Sequence, residues 1–127
     1  MTEPPYVSEY QAGYVHKPTE VRVTDPETGG QKGQKAEQYS LLPVAALAEV
    51  ARVYGYGAEK YDRENWRKGY AWHLSYDAAQ RHMNLFWGGE DLDQESGLPH
   101  LAHAQFHMLT LLTYMLDPKH KSKDDRP

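Results

Sequence analysis

The chain has 127 residues, the size of one ordinary domain. With 39% hydrophobic residues and a mean hydropathy of −0.83 it can bury a core, but a modest one. A net charge of −4 excludes a general nucleic-acid binder, which needs a basic field to displace counterions, and the absence of cysteine excludes a disulfide framework or a Cys-type zinc site. No apolar run approaches the roughly 18 residues of a membrane span, and the first residues carry no apolar leader segment, so a cytoplasmic protein with no membrane partner is expected.

Residues 1–35 read as a non-helical arm. Pro4, Pro5, Pro18 and Pro26 break helices, Asp25 to Gly30 is dense in turn residues, and Val21-Arg22-Val23 suits a brief extended piece. Tyr6, Tyr10 and Tyr14 could anchor such an arm, or the arm could cover a site or a neighbouring subunit. No internal repeat is evident. The apolar residues gather into three segments within 36–117, which predicts an all-α domain of three helices. So small a core is expected to be completed by pairing with copies of the same chain.

The first helix is predicted over 40–56, with Ser40 as cap, Pro43 in the first turn and Gly55 or Gly57 at its end. Glu49 falls inside the apolar surface of Leu42, Ala46, Val50 and Val53. A lone buried carboxylate costs several kcal/mol unless it is paired or bound to a cation. Glu49 is therefore either an edge residue paired with Arg52 or Arg63, or a metal ligand or general base. Residues 57–69 interleave Lys60, Arg63, Arg67 and Lys68 with Tyr61, Asn65 and Trp66. Cations neutralise phosphate oxygens, an indole offers a stacking face and Asn reads an edge; a solvated connection with a structural Trp is the other reading.

The second helix is predicted over 71–87, with Asp77, Arg81 and Asn84 on a polar face and His82 opposite, beside Ala78, Leu85 and Phe86. There His82 is either a hydrogen-bonded core residue or a functional one. Gly88-Gly89 ends the helix and opens an acidic loop bearing Glu90, Asp91, Asp93 and Glu95. The third helix, 98–116, is apolar nearly all round and therefore buried, yet it carries His100, His103 and His107 on one face. Asp117-Pro118 stops it, and the charged tail 118–127 is expected to be mobile.

The usual nucleophile and phosphate-loop motifs are missing, which leaves carboxylates and imidazoles. Oxygen-rich sites take Mg²⁺ or Mn²⁺, and added imidazole tilts the choice toward Mn²⁺, Fe or Zn. These parts suit metal-assisted hydrolysis of a phosphoanhydride, with Lys60 and its cationic neighbours on the leaving diphosphate. Two alternatives stay open: a helical binding module without turnover, and a phosphohydrolase that releases triphosphate.

Lys60-Tyr61, Asn65-Trp66, Arg81-His82, Gly89-Glu90-Asp91-Leu92-Asp93, Glu95-Ser96-Gly97, and His100-Leu101 with His103-Ala104 follow one another in that order. Together with the Leu41-Leu42-Pro43 helix entry, this series resembles the phage-borne, MazZ-like dATP/dGTP diphosphohydrolases, over about residues 35–116. The resemblance implies an all-α, MazG-related NTP pyrophosphatase, a helical bundle that assembles into dimers or tetramers. It implies Mg²⁺- or Mn²⁺-dependent cleavage of a purine (deoxy)nucleoside triphosphate, dGTP or GTP in particular, to the monophosphate and diphosphate. It also implies a role in supplying 2-aminoadenine nucleotides.

MazG-like domains carry Glu-x-x-Glu on one helix and Glu-x-x-Asp on another. This chain departs from that pattern, with Ala46-x-x-Glu49 on its first helix, Glu59-x-x-Asp62 and Glu90-x-x-Asp93 elsewhere, and His100-x-x-His103 on its third. Carried over, the resemblance makes Glu49, Glu90 and Asp93 the catalytic, metal-binding carboxylates and Asp77 a further metal candidate. His100 and His103 become ligands or phosphate contacts, and Lys60, Asn65, Trp66 and Arg81 contact the nucleotide.

Overall fold

The computed structural model describes residues 20–127; the expected tyrosine anchors Tyr6, Tyr10 and Tyr14 lie outside them. The extended piece at Val21-Arg22-Val23 belongs to a two-stranded hairpin, β1 (Glu20–Thr24) antiparallel to β2 (Gln31–Lys35), in register Glu20↔Lys35 to Thr24↔Gln31. Its residues are exposed on both faces apart from half-buried Gly33, so its own ladder and turn hold it rather than a core.

Among the described residues there are three α-helices: α1 (Val44–Lys60), α2 (Trp72–Trp87) and α3 (His100–Leu116). Short 3₁₀ turns at Tyr39–Leu41, Asn65–Lys68 and Pro118–Lys123 join or follow them. The all-α class read from the sequence is the observed one. α3 is the central helix, packed along much of α2 and, less extensively, against α1. Its small residues allow this: Ala102 and Ala104 are buried, and Val50 and Val53 of α1 close on Ala102 with Tyr54, Leu98, Phe106 and Leu109 around them. Tyr54 meets Phe106 edge to face at 4.6 Å, a geometry that aromatic quadrupoles favour.

A second aromatic cluster seals the other end of α3. Tyr114 is 1% exposed; its hydroxyl donates to the Trp66 carbonyl at 2.5 Å, and its ring packs against Tyr70 and His120. The tail meets this end of the helices: Pro118–Lys123 coils back, His120 is buried, Asp125 accepts hydrogen bonds from the backbone and ring of His73, and the Arg126 guanidinium lies over Trp72. An imidazole and a guanidinium stacked on aromatic faces offset the ordering cost that a charged tail would otherwise avoid.

The first helix is displaced from its predicted bounds. Ser40 lies in the 3₁₀ turn, α1 begins after Pro43 without a side-chain cap, and Gly55 and Gly57 sit inside the helix, which runs to Lys60. A Cβ at either glycine would meet nothing within 4 Å, so neither is needed for packing. Each costs about 1 kcal/mol relative to alanine, an amount tertiary ties readily offset. The shift puts Lys60 on the last helical turn, within reach of the acidic loop. It also leaves Tyr39, Leu41, Val44 and Leu47 exposed ahead of the packed strip that starts at Val50.

Candidate active site

α1 and α2 each pack on α3 but scarcely on each other, and a cleft of about 570 Å³ remains between them. Val53, Tyr54 and Tyr56 of α1, Leu74, Ala78 and His82 of α2, and His103, Phe106 and His107 of α3 line it. The Lys60–Trp66 segment and the acidic loop supply the remaining walls.

The loop is closed on itself. Asp93 N–H donates to the Leu98 carbonyl at 2.8 Å, Gly97 N–H to the Asp93 carbonyl at 2.7 Å, and His100 N–H to the Asp91 carbonyl at 2.9 Å. Gly97 turns the chain at φ 74°, the left-handed region that glycine enters without strain. The Asp93 carboxylate accepts from both the Ser96 backbone N–H (2.8 Å) and the Ser96 hydroxyl (2.9 Å). Burial works to raise the Asp93 carboxyl, but the Ser96 bonds and the nearby His103 outweigh it and hold the group below its ordinary value.

Ser96 has one hydroxyl hydrogen and gives it to Asp93, so His103 Nε2–H is the donor in its 2.7 Å bond to the Ser96 oxygen. His103 in turn stacks on His82, ring centroids 4.6 Å apart and planes within 8°. His82 Nδ1 lies 2.9 Å from His100 Nδ1, and His100 Nε2 donates to the Glu90 carboxylate at 2.6 Å. His100 is fully buried, and only that carboxylate and His82 satisfy its ring. A parallel relay runs from the Tyr70 hydroxyl through Ser75 (2.7 Å) to His107 Nδ1 (2.9 Å). Burial depresses His82 and His107 to about 4 each, and it lowers His103 as well, so these rings are neutral near pH 7 and their nitrogens can act as bases or ligands.

The rim is cationic and aromatic. Lys60 Nζ donates to Glu95 at 2.9 Å, the Tyr56 hydroxyl donates to the same oxygen at 2.5 Å, and Arg63 and Arg81 also line the opening. Asn65 and Trp66 are half-buried in the wall, with the Trp66 ring edge-on to Tyr54 at 5.8 Å and under the Arg67 guanidinium at 4.4 Å.

Of the residues singled out from the sequence, the structure thus brings together Asp93, His100, His103 and, behind His100, Glu90. Lys60, Asn65, Trp66 and Arg81 surround the same cleft. Two residues stand apart. Glu49, expected inside an apolar surface, is half-exposed, ion-paired to Arg52 at 2.7 Å and absent from the cleft wall, because α1 packs only from Val50 onward. Asp77 is exposed on α2, one residue before the buried pair Ala78 and Ala79, and does not line the cleft either. Sequence reasoning named no role for Ser75 or Ser96 and left His82 undecided. Asp93-x-x-Ser96 is an Asx-turn spacing and was the readable signal for the serine. His82 gave none, since one helical His cannot announce a partner on another helix.

His82, Asp93 and His100 each offer one donor atom, and these atoms lie within 4.8 Å of one another. Two imidazoles and a carboxylate, with Glu90 fixing the outer nitrogen of one ring, are a donor set that fits a divalent ion.

A small all-α domain with an imidazole–carboxylate cluster in a cation-rimmed cleft is the class these features define. The family model described as dATP/dGTP diphosphohydrolase, N-terminal, matches residues 26–126, and the chain belongs to that family, as its ordered motifs indicate. A dATP/dGTP diphosphohydrolase of Salmonella phage PMBT28 is 34% identical over 99 residues, which are 78% of this chain and 33% of the relative. The chain therefore spans about a third of that relative's length. No solved structure matches.

Proposed function

We propose that this domain binds a purine (deoxy)nucleoside triphosphate and hydrolyses it to the monophosphate and diphosphate with a divalent ion held by His82, Asp93 and His100. The observation that carries the reading is the convergence of those donors at the wall of a cleft that His82 and Asp93 line, with His100 buried behind them, and that also bears Lys60, Arg63 and Arg81. The activity for which the phage relative is named supports it. In this reading Asp93 is the ligand carboxylate and Glu90 orients His100 from behind, while Glu49 and Asp77 have no part.

When bound, Mg²⁺ or Mn²⁺ would neutralise phosphate oxygens and acidify a water. The chain's own residues do the rest. His103, neutral near pH 7 and bonded to Ser96 only through Nε2, accepts the proton of the attacking water at Nδ1. The water oxygen bonds to the α-phosphorus, the bond to the β-phosphate's bridging oxygen breaks, and Lys60, Arg63 and Arg81 hold the departing diphosphate. Trp66 and Asn65 take the base. With dGTP as substrate the product is dGMP, a precursor for 2-aminoadenine nucleotides in an infected host's cytoplasm.

Incubation with each dNTP and Mg²⁺ or Mn²⁺, followed by anion-exchange analysis, should show dNMP and diphosphate, purines preferred. Orthophosphate with dNDP, nucleoside with triphosphate, or no turnover would each reject the reading. The exposed Tyr39, Leu41, Val44 and Trp87 support self-association into a dimer or tetramer, which light scattering on a sizing column measures directly. Among the described residues no helix is long and apolar enough to cross a membrane.

A further inference from the structure

We infer that His82, Asp93 and His100 form a nitrogen-dominated site that holds a first-row transition ion in preference to Mg²⁺. The inference deepens the proposed metal dependence and rests on it, but not on the identity of the substrate.

The ring nitrogens carry the argument. Nδ1 of His82 and Nδ1 of His100 face each other at 2.9 Å. Metal–imidazole bonds run to about 2.1 Å, so two such ligands at a right angle on one ion have nitrogens about 3 Å apart. The rings already stand at that separation. Glu90 favours one tautomer: a carboxylate oxygen only accepts, so His100 carries a hydrogen on Nε2 and its Nδ1 is the acceptor for His82 Nδ1–H, the hydrogen that a metal ion between the two nitrogens would replace. This is the carboxylate–histidine–metal arrangement, in which an outer carboxylate orients the ligating ring. Asp93 is positioned just as firmly, by the two Ser96 bonds.

Such a donor set discriminates. Mg²⁺ demands near-ideal octahedral oxygen ligation and keeps several waters, and it gains little from imidazole. Mn²⁺, Fe²⁺, Co²⁺ and Zn²⁺ accept nitrogen readily. Burial strengthens the distinction, since His100 is fully buried and His82 nearly so, leaving little room for an intact hydration shell.

The test is electron paramagnetic resonance of the full chain loaded with MnCl₂, with pulsed detection of ¹⁴N couplings and competition by MgCl₂. The expected result is one Mn²⁺ per chain with imidazole ¹⁴N modulation, retained against a 100-fold excess of Mg²⁺. His82→Leu and His100→Leu should each weaken binding at least 10-fold and reduce the modulation. Glu90→Gln, a positioning change in a half-exposed side chain, should weaken binding about 10–100-fold with the helical circular dichroism intact. Absence of ¹⁴N coupling, displacement by equimolar Mg²⁺, or wild-type binding by the imidazole variants would overturn the inference. If the leucine variants fail to fold, the wild-type spectrum and Glu90→Gln still decide. Bound, nitrogen-coupled Mn²⁺ without NTP turnover would reject the hydrolase reading alone; turnover with Mg²⁺ and no nitrogen coupling would reject the inference alone.

Discussion

The chain builds one loop twice and uses it once. Asp25-Pro26-Glu27-Thr28-Gly29 and Asp93-Gln94-Glu95-Ser96-Gly97 share their first, third and fifth residues and place a hydroxyl fourth. This is a short repetition where the sequence reading saw none. In both, the aspartate accepts the backbone N–H three residues on (2.9 and 2.8 Å) and the glycine takes positive φ (77° and 74°). In both, the aspartate N–H donates across the loop at 2.8 Å, and the hydroxyl oxygen accepts the N–H two residues beyond it. Hydrogen bonds from Thr28 and Glu27 hold the Asp25 carboxyl below its ordinary value, as the Ser96 bonds do for Asp93 against an opposing burial effect. Yet the first loop tips an exposed hairpin, and the second is closed onto α3, where Asp93 meets imidazoles. Identical local chemistry gives a turn in one place and a candidate active site in the other. The difference is tertiary.

The comparison can be broken most sharply at the two aspartates. Asp93→Asn keeps a turn-forming acceptor but removes a charged ligand, and turnover should fall about 10³-fold, as losses of metal or acid–base function do. The matching Asp25→Asn should leave turnover unchanged. Steady-state kinetics on both variants checks this, and equal losses would erase the distinction.

Acid should separate the two regions next. His82 and His107 titrate near 4 in the fold against about 6.5 in the unfolded chain. The unfolded chain then binds more protons between those values, so the stability these rings contribute is complete above pH 6.5 and is lost as pH falls toward 4. Together they should remove roughly 3 kcal/mol after solvent screening is allowed for, read as a fall in the urea midpoint. The hairpin turn should persist over the same range, because Asp25 titrates lower still; amide exchange followed residue by residue reports both.

Smaller effects sharpen the picture. Ser96→Ala removes one of Asp93's two bonds and leaves His103 Nε2 without its partner; it should cost about 1–2 kcal/mol in denaturant unfolding, with Ser96→Thr restoring most of it, since Thr28 fills the equivalent place. Gln94→Pro should change stability by less than about 0.5 kcal/mol, because Pro26 occupies the same position in the first loop. A large loss there would show that the two loops are not equivalent.

Much of the fold was legible in the sequence because helical periodicity is local. α2 and α3 lie within two residues of their predicted bounds, and Gly88-Gly89 and Asp117-Pro118 punctuate as expected. α1 was harder: Ser40 and Gly55 carry standard cap signals, and tertiary ties through Lys60 and Tyr56 to Glu95 override them. At the site, the His100–His103 face and the Asp93 loop could be read, since both depend on spacing along one segment. Glu49 kept two readings, and the edge position paired with Arg52 is the one observed, because α1 packs only from Val50 onward. His82 could not be read, because its partners His100 and His103 arrive from another helix. In the tail, His120 and Arg126 meet aromatic faces that no local rule foresees.

The central claim is that His82, Asp93 and His100 converge to hold a divalent ion at the wall of the cleft between α1 and α2. Anomalous scattering from crystals soaked in MnCl₂ tests it most directly. One strong peak within bonding distance of both Nδ1 atoms and the Asp93 carboxylate is the predicted result; a featureless cluster, or a peak confined to Glu49 or Asp77, would contradict the account.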